Sequence, residues 1–389
     1  MATALRRQGV EVEVVTALPN YPTGSIFPDY RRKLLHSETW AHDIKVHRVW
    51  LAAAQGSGFR RLLSFASFAA LLPLALQRVE RPDVVFVNSS PLTFAPVALR
   101  AARRWKATPV LGISDLWPDG LVEIGSLKPG RVLSILLRLE AKMYREFSMI
   151  TPVTDGIKTT LLSRKGVPES KLAFLPNGVD TELFHPDQEA VELEGVTDHA
   201  GAVFAFGGTM GYFQGLDVVI DAMDQLRDRH DIRFAFIGDG NERVRLEEEV
   251  VRRNLTESVI FRDGLPAAKF AGVLPAVRAG VVTLRDMEIN RGARPGKTFP
   301  IMAAGRPVIF SGDGEMAEMV SDAKAGMVVA PADGSALADA IRTLADDETL
   351  ADELGKNGRD LTVNRFGWDA LVDSWLTTIK RLPELSEIP

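Results

Sequence analysis

Short apolar runs alternate with amphipathic stretches along most of this chain, and the alternation predicts parallel β-strands joined by helices. In the first half the predicted strands are residues 10–16, 44–50, 84–88, 109–113, 149–153 and 171–175. In the second half they are residues 203–206, 233–237, 259–261, 279–284, 307–310 and 326–329. Two such sets indicate an α/β protein with two Rossmann-like domains built on parallel sheets.

The two sets of strands are separated by the turn Pro176-Asn177-Gly178-Val179-Asp180 and by an acidic segment, residues 187–198. We therefore expect an N-terminal domain over residues 1–180 and a C-terminal domain over residues 181–364. A helical segment over residues 365–389 is expected either to cap its own domain or to cross back to the first. A ligand shared by two such domains would lie in the cleft at the carboxyl ends of their sheets.

The start of the N-terminal domain differs from a complete Rossmann domain. Residues 3–8 have the pattern of a helix that leads into the strand at Val10, so the usual first strand and its glycine-rich turn are not seen. Either the start is assigned too late or the domain has a reduced sheet without its first strand.

The most apolar run of the chain is residues 62–76, preceded by Arg60 and Arg61. It is too short to span a bilayer comfortably and contains Pro73, so two alternatives remain. One is a helix packed against the core, and the other is a helix that dips into a membrane interface.

Composition limits the chemistry. Cysteine is absent and the six histidines show no paired metal-ligand spacing, so no metal site is expected. Residues 1–7 show no secretory signal, and the expected location is the cytoplasm, with contact to the inner face of the membrane as an option.

Charge is divided unevenly between the two halves. Residues 1–180 hold 24 Lys and Arg against 15 Asp and Glu, a net +9, whereas the remainder holds 22 against 36, a net −14. The basic half favours an anionic partner such as a membrane surface or a lipid-linked phosphate, and an uneven scatter of solvated charges is the alternative. Nucleic acid is not expected, because no basic-aromatic module of a known type is present.

A glycine-rich run follows the predicted strand at 203–206 and precedes a segment of helical spacing that begins at Asp217. Its members are Gly207, Gly208, Thr209, Gly211 and Gly215. Glycines let the backbone approach an anion closely, and the N–H groups at a helix start favour negative charge. The run therefore predicts a phosphate site, and a tight strand-to-helix turn is the alternative.

Two further glycine-containing turns follow predicted strands, Gly238-Asp239-Gly240 and Gly312-Asp313-Gly314-Glu315. Asp239 is of a type that favours the turn itself. Glu315 and, one helical turn later, Glu318 lie at the start of the next predicted helix, where their charge also suits the helix dipole.

Five segments match a known family in the same order along the chain. They are Asn20-Tyr21-Pro22-Thr23-Gly24, Ser114-Asp115-Leu116-Trp117-Pro118-Asp119, Pro176-Asn177-Gly178-Val179-Asp180, residues 207–217 and Met302-Ala303-Ala304-Gly305-Arg306-Pro307-Val308-Ile309. With these segments the chain resembles the family 4 glycosyltransferases of the GT-B fold. Within that family it is most similar to the fucosamine-transferase-like enzymes of surface-polysaccharide synthesis.

The resemblance implies a retaining, metal-independent transfer of a sugar from a nucleoside diphosphate sugar, most readily of the UDP type, with no further cofactor. It places the donor on the C-terminal domain and a polyprenyl-diphosphate-linked acceptor on the N-terminal one. The departing diphosphate gains negative charge, so backbone N–H groups and cations are needed to stabilise it. Lys297, with Arg291 or Arg294, is the expected source of positive charge.

The chain departs from the family pattern at several donor-side positions. Many members have two glutamates eight positions apart, the second of which binds the donor ribose, and here those positions hold Gly292 and Pro300. The usual Arg and Lys of the glycine-rich turn are replaced by Thr209 and Gln214. Glu318 is the expected substitute for the missing ribose contact.

On the acceptor side, Asp115 follows a predicted strand at its carboxyl edge and precedes a Trp-Pro unit. A carboxylate there is suited to orient or deprotonate an acceptor hydroxyl, and a turn-capping aspartate is the alternative. Ser114, at the position of the family's histidine, and Trp117 and Asn20 are the remaining acceptor-side candidates.

Two other functions are consistent with the sequence. Pro300 and the missing first strand would also suit a catalytically silent homologue that binds a nucleotide sugar or a partner enzyme. An epimerase acting on nucleotide sugars is the other alternative, although its acid and base carboxylates are not visible.

Overall fold

The computed structural model describes residues 1–20, 24–54, 59–89, 92–123, 125, 127–382 and 385. Tyr21, Pro22 and Thr23 of the Asn20–Gly24 motif therefore lie outside the described residues. The chain divides into two compact units, the first formed by residues 1–176 and 371–389 and the second by residues 177–370. Each unit is described separately.

The first unit contains strands and helices in alternation. Its strands are β1 (Glu13–Ala17), β2 (Leu35–Trp40), β3 (Ile44–Val49), β4 (Val84–Asn88), β5 (Thr108–Ile113) and β6 (Met149–Pro152). Its helices are α1 (Ala2–Arg7), α2 (Phe59–Leu76), α3 (Ala95–Trp105), α4 (Asp119–Glu123), α5 (Arg131–Glu146) and α6 (Asp155–Ser163). The expected α/β organisation is thus present in this unit.

Within the described residues the strands of the first unit form two sheets. The order in one is β1-β3-β2, with β1 parallel and β2 antiparallel to β3, and the other is the parallel sheet β4-β5-β6. The edge strands are β1 and β2 in the first sheet and β4 and β6 in the second, and α2 packs beside β1 through Val15 and Ala17. The sequence does not show the usual first strand, and in the described residues the strands of this unit form two separate sheets.

Two features of the first unit differ from the expected strands. The strand expected at 171–175 is wrong as a regular strand, because a 3-10 turn occupies Glu169–Lys171 and the segment joins β6 by an isolated bridge at Leu172. The Lys171 side chain donates instead to backbone carbonyls, including that of Arg145 at 2.7 Å. Strand β2 was not expected, because its residues are mostly polar and lack an apolar run.

The second unit is a parallel sheet with helices packed on both faces. Its strands are β7 (Ala202–Gly207), β8 (Ile232–Ile237), β9 (Val259–Arg262), β10 (Ala279–Thr283), β11 (Val308–Ser311) and β12 (Gly326–Val329). Its helices are α7 (Asp217–Gln225), α8 (Arg243–Arg252), α9 (Ala267–Val273), α10 (Glu288–Arg291), α11 (Thr298–Ala303), α12 (Glu315–Asp322), α13 (Gly334–Asp346) and α14 (Glu348–Arg365).

The strand order of this sheet, among the described residues, is β12-β11-β10-β7-β8-β9. The order reverses at β7, so the carboxyl end of β7 lies at a topological switch point, where open α/β sheets bind ligands. Both faces of the sheet are apolar, with Phe206 and Phe236 buried on one side and Phe299 and Phe310 on the other. The glycine-rich run after β7 therefore extends from a strand that is packed on both faces.

The chain returns to the first unit in its last helix, α15 (Trp368–Ile379). Trp375 donates its indole N–H to Thr151 Oγ1 at 3.1 Å and packs edge-on against Phe86, with 5.7 Å between ring centroids. The preceding α14 stays in the second unit, where the Arg359 guanidinium donates to the backbone carbonyls of Thr181, Phe184 and Ala303.

Candidate functional site

Two turns at the carboxyl edge of the second unit's sheet lie against each other, residues 207–211 after β7 and residues 238–240 after β8, together called the glycine turns. Gly208 N donates to Ile237 O at 2.9 Å, and Met210 N donates to Asp239 O at 2.8 Å. The Met210 side chain is fully buried beneath them. These bonds fix the backbone of the first turn against the second.

The contact between the glycine turns is too close for side chains. A Cβ on Gly238 would lie 1.9 Å from Gly208 O, and one on Gly240 would lie 2.1 Å from Met210 O. A methyl group at either position would overlap a backbone carbonyl, so both positions require glycine. This packing explains why glycine recurs in two segments that are distant in sequence.

Gln214, at the position where a lysine is usual in the family, stabilises the turn from within. Its side-chain Oε1 accepts from Gly211 N at 3.0 Å, and its backbone carbonyl oxygen accepts from Thr283 Oγ1 at 2.5 Å. The glutamine thus completes the start of the 3-10 turn Tyr212–Gln214 and supplies no positive charge. Any cation for a bound phosphate has to come from another segment.

One cation from another segment, the Lys297 ammonium, lies beside the first glycine turn. A Cβ built on Gly208 would be 3.7 Å from Lys297 Nζ, so the ammonium lies directly beside the first glycine turn. The Nζ atom is also 4.0 Å from the centroid of the fully buried Phe206 ring. It is buried and has no hydrogen-bond partner among the described residues.

The electrostatics of Lys297 follow from this environment. Burial lowers the pKa of its ammonium from 10.5 to about 8, and no neighbouring carboxylate is among the causes of the shift. The aromatic face of Phe206 offers partial compensation, since a cation over a ring is attracted to the ring electrons. A desolvated ammonium that has no hydrogen-bond partner among the described residues is a site that an anion would stabilise.

The neighbouring residue, Thr298, adds a second unpaired polar group. It is the first residue of α11 and fully buried, and its Oγ1 has no hydrogen-bond partner among the described residues. Buried hydroxyl groups in folded proteins usually have a partner. Two adjacent unpaired polar groups therefore mark this part of the second unit as a candidate anion site.

Arg294 and Glu315, both predicted to contact the donor, form an ion pair with each other. Their side chains are mostly buried, with exposed fractions of 8% and 14%. Glu315 is the first residue of α12, so this pair ties the loop before Lys297 to the start of that helix. Gly314 closes the same junction, because a Cβ there would be 2.1 Å from Arg291 O.

The remaining donor-side candidates are more exposed. Arg291 pairs with Asp286 at 3.4 Å near the surface, and Glu318 and Thr209 are also exposed. Asp239 is exposed, and its Oδ1 accepts from the adjacent Gly240 N at 2.7 Å. Asp239 thus has the turn-forming contact that its position predicted.

The acceptor-side candidates belong to the first unit. Ser114 directly follows β5, and its Oγ donates to Asn88 Oδ1 at 3.0 Å. Asp115 is exposed, and the following Trp117 packs against the core and precedes a cis peptide bond to Pro118. Asn20 follows a different strand, β1, and donates to Leu18 O at 2.7 Å.

A buried charge network lies next to the loop that carries Asp115. Asp119, at the start of α4, accepts from Lys165 Nζ at 2.6 Å, and the same ammonium donates to the buried Glu140 at 2.9 Å. Glu140 also accepts from Tyr144 Oη at 2.9 Å. Desolvation raises the pKa of Glu140, while the hydrogen bonds to Asp119 and Glu140 leave the pKa of Lys165 raised. The network fixes the end of the loop.

Several residues of these sites were not among the sequence candidates. Phe206 was seen only as a strand residue, although it directly precedes the glycine-rich run. Thr298 and Asn88 were also missed. The only signals for them in the sequence are that Thr298 follows Lys297 and that Asn88 ends a predicted strand. The structure brings Lys297 to the first glycine turn, which sequence spacing alone does not show.

Two features are absent from the described parts of the chain, a metal-binding cluster and a membrane-spanning helix. No group of three or more His, Asp or Glu side chains in the described residues is placed to hold a metal ion. No helix formed by these residues is long and apolar enough to cross a membrane.

Comparison with known families gives two matches that follow the two units. Residues 1–178 match the family described as glycosyl transferase 4-like domain. Residues 201–347 match the glycosyl transferases group 1 family.

Among curated proteins, a putative colanic acid biosynthesis glycosyl transferase, WcaI of Escherichia coli, is 28% identical over 285 residues. The match covers 69% of this chain and 68% of that protein. A 2-deoxystreptamine glucosyltransferase of Streptomyces kanamyceticus is 24% identical and is matched over 60% of its length and 60% of this chain.

Two solved structures share the fold. Sucrose-phosphate synthase from Thermosynechococcus elongatus has a TM-score of 0.73 at 19% identity, covering 98% of this chain and 91% of that one. Anabaena Alr3699/HepE in complex with UDP-glucose has a TM-score of 0.67 at 16% identity, covering 88% of this chain and 87% of that one.

Proposed function

We propose that this chain, which belongs to the family 4 glycosyltransferases of the GT-B fold, transfers a sugar from a nucleoside diphosphate sugar to a lipid-linked sugar acceptor. The observation that carries the proposal is the buried Lys297 ammonium beside Gly208. A diphosphate at that position would receive the positive charge of Lys297, and the missing side chain of Gly208 would let it approach the turn closely.

The proposed donor is of the UDP type. The complex of the HepE protein with UDP-glucose supports this choice, since that protein shares the fold. Arg294 and Glu315 would shape the junction near the diphosphate, and the exposed Glu318 would bind the ribose in place of the glutamate replaced by Pro300. Arg291 would contribute long-range attraction to the donor.

The proposed reaction retains the anomeric configuration and needs no divalent metal. The bond from the anomeric carbon to the β-phosphate oxygen breaks, and a bond from that carbon to the acceptor oxygen forms. The departing oxygen gains negative charge, which the Lys297 ammonium would stabilise. The acceptor hydroxyl loses its proton, and Asp115 is the proposed base or orienting group.

The first unit is the proposed acceptor side, with Ser114 and Trp117 in the Asp115 loop and Asn20 after strand β1. Net charge supports this division, because residues 1–180 carry +9 and suit an acceptor attached to a polyprenyl diphosphate. The relation to the colanic acid protein supports a role in surface-polysaccharide assembly, with the enzyme acting at the inner face of the membrane from the cytoplasm.

The proposal is tested by calorimetric titration of the purified protein with UDP, GDP, ADP and the matching monophosphates. One diphosphate should bind in a one-to-one complex at least about tenfold more tightly than its monophosphate, because the second phosphate adds a charge-assisted hydrogen bond. Equal affinity for mono- and diphosphates would contradict the proposal.

A silent homologue is the second candidate, favoured by Pro300 in α11 at the place of a ribose-binding glutamate. Such a protein would bind the diphosphate but release none from a nucleotide sugar. Incubation of the protein with its best-binding nucleotide sugar and lipid extract, followed by chromatography of the free nucleotide, separates the two functions. Turnover above that of an Asp115→Asn variant supports the enzyme.

A further inference from the structure

Helix α2 presents an apolar face to solvent. Its docking face comprises Leu62, Leu63, Ala66, Ala70, Pro73 and Leu74, all exposed. The exposed fractions of Leu62, Leu63 and Leu74 are 59%, 47% and 36%. The opposite side of the helix is packed in the core through Phe68, Leu72 and Ala75. The helix is therefore apolar on both sides.

A face of this kind is unusual for a surface helix. Exposed apolar residues are common singly, but a helix that is covered on one side normally has polar residues on the other. Residues 62–76 contain no charged side chain. A contiguous exposed apolar strip marks a surface that associates with another apolar phase or partner.

Basic side chains lie in the first turn of α2 and on a neighbouring helix. Arg60 and Arg61 follow Phe59, the first residue of α2, and both are exposed. Helix α3 is its neighbour, because Phe94 at the start of α3 packs edge-on against Phe68 with 4.8 Å between ring centroids. The outward residues of α3 are Arg100, Arg103 and Arg104.

The same character continues onto α5. This helix is joined to α3 by an ion pair between Arg103 and Glu146. Its outward side combines the exposed Val132 and Ile135, each 60% exposed, with basic residues. The exposed basic residues are Arg131, Arg138, Lys142 and Arg145. Three neighbouring helices thus present apolar and cationic side chains on one unit.

This combination indicates the chemistry of the partner. An apolar protein surface would offer no anionic group to these arginines, so they would add little to its binding. An anionic bilayer takes up the leucines in its acyl boundary and offers phosphates to the arginines at the same time. We propose that the docking face of α2, with the arginines of α2 and α3, binds the surface of a bilayer that contains anionic phospholipid.

The inference extends the proposed lipid-linked acceptor, because a docked first unit would meet an acceptor held in the same membrane. Its test is independent of that function, since binding to vesicles requires neither donor nor acceptor. If the protein fails to bind vesicles but still binds the diphosphate, the docking face is refuted as a membrane-binding surface and the transferase proposal is unaffected.

The experiment is co-sedimentation of the full chain with vesicles of phosphatidylcholine alone and of equal parts phosphatidylcholine and phosphatidylglycerol at low salt. We expect binding to the anionic vesicles at least about tenfold stronger than to the neutral ones, because basic residues near the surface are attracted to anionic lipid. Binding should weaken as salt is added.

Two variants test the face itself. Leu62→Ser/Leu63→Ser removes apolar side chains from the docking face and should weaken binding to anionic vesicles by about tenfold or more. Arg60→Gln/Arg104→Gln should reduce the preference for anionic over neutral vesicles while leaving the apolar face intact. Neither change touches a buried side chain, so circular dichroism melting should match the wild type within error.

A matched control lies on the second unit. Val244 and Val251 of α8 have exposed fractions of 66% and 63%, and Val244→Ser/Val251→Ser should leave vesicle binding unchanged. Binding of the leucine variant equal to that of the wild type would overturn the inference, as would equal wild-type binding to both vesicles or to neither. A dimer in light scattering that the leucine variant abolishes, without vesicle binding, would assign the face to a second copy instead.

Discussion

The Lys297 side chain offers the sharpest test of the donor site, through the substitution Lys297→Met. Methionine keeps the length and apolar stem of lysine and its contact with Phe206 but removes the charge. The pKa of Lys297 is lowered from 10.5 to about 8, which corresponds to about 3 kcal/mol against the charged form in the empty site. The cation over Phe206 offsets about 1 kcal/mol of this cost.

Two opposite effects should follow from this change. The variant should be more stable than the wild type at pH 7 by about 1 to 3 kcal/mol, because the buried charge is gone. Its affinity for a nucleoside diphosphate should fall by about 1 to 3 kcal/mol, or roughly 5- to 150-fold, the range for a charge-assisted hydrogen bond. Lys297→Ala should lose a similar amount of affinity.

The assays are urea unfolding followed by circular dichroism and calorimetric titration with the best-binding diphosphate. Lys356→Met is the matched control, because Lys356 is exposed on α14 of the same unit and should change neither quantity. Unchanged diphosphate affinity in the Lys297→Met variant would remove Lys297 from the site. A loss of stability in that variant would refute the burial argument.

Three further predictions concern pH, the acceptor loop and the glycine turns. The Lys297 ammonium has a pKa lowered to about 8, and a bound diphosphate would raise that pKa. Diphosphate affinity should therefore be constant below pH 8 and fall as pH rises above it, and Lys297→Arg should flatten this profile. A flat wild-type profile in titrations from pH 6.5 to about 9.5 would contradict the assignment. Asp115→Asn should lower turnover by roughly 100-fold or more with diphosphate affinity unchanged, and full activity in steady-state assays would reduce Asp115 to a turn former. Gly238→Ala should destabilise the second unit by about 2 kcal/mol or more, because its Cβ would lie 1.9 Å from Gly208 O, and an unchanged melting temperature would show that the turns can separate.

Much of the fold was predictable, because apolar runs determine which segments are buried in a parallel sheet. Strands β4 and β12 have the bounds expected from sequence, and the ends of most others differ by one or a few residues. Strand β2 was not predictable, because its polar residues pair with β3 at an edge where no apolar run is needed.

The site was predictable in its residue types but not in its contacts. The glycine-rich run and Lys297 were identified from sequence, whereas the Phe206 ring beneath the ammonium was not. Arg294 and Glu315 were each expected to face the donor, and their pairing with each other depends on where two loops meet. The spacing of residues within one segment does not show which loops contact each other, because loops distant in sequence are brought together only by the folded sheet.

The central claim, that a nucleoside diphosphate binds at the glycine turns beside Lys297, is tested most directly by a crystal structure of the protein with its best-binding diphosphate. We expect a phosphate oxygen within about 3 Å of Lys297 Nζ, the distance of a charge-assisted hydrogen bond, and the diphosphate in van der Waals contact with Gly208. A diphosphate bound elsewhere, with Lys297 Nζ still unpaired over Phe206, would contradict the account.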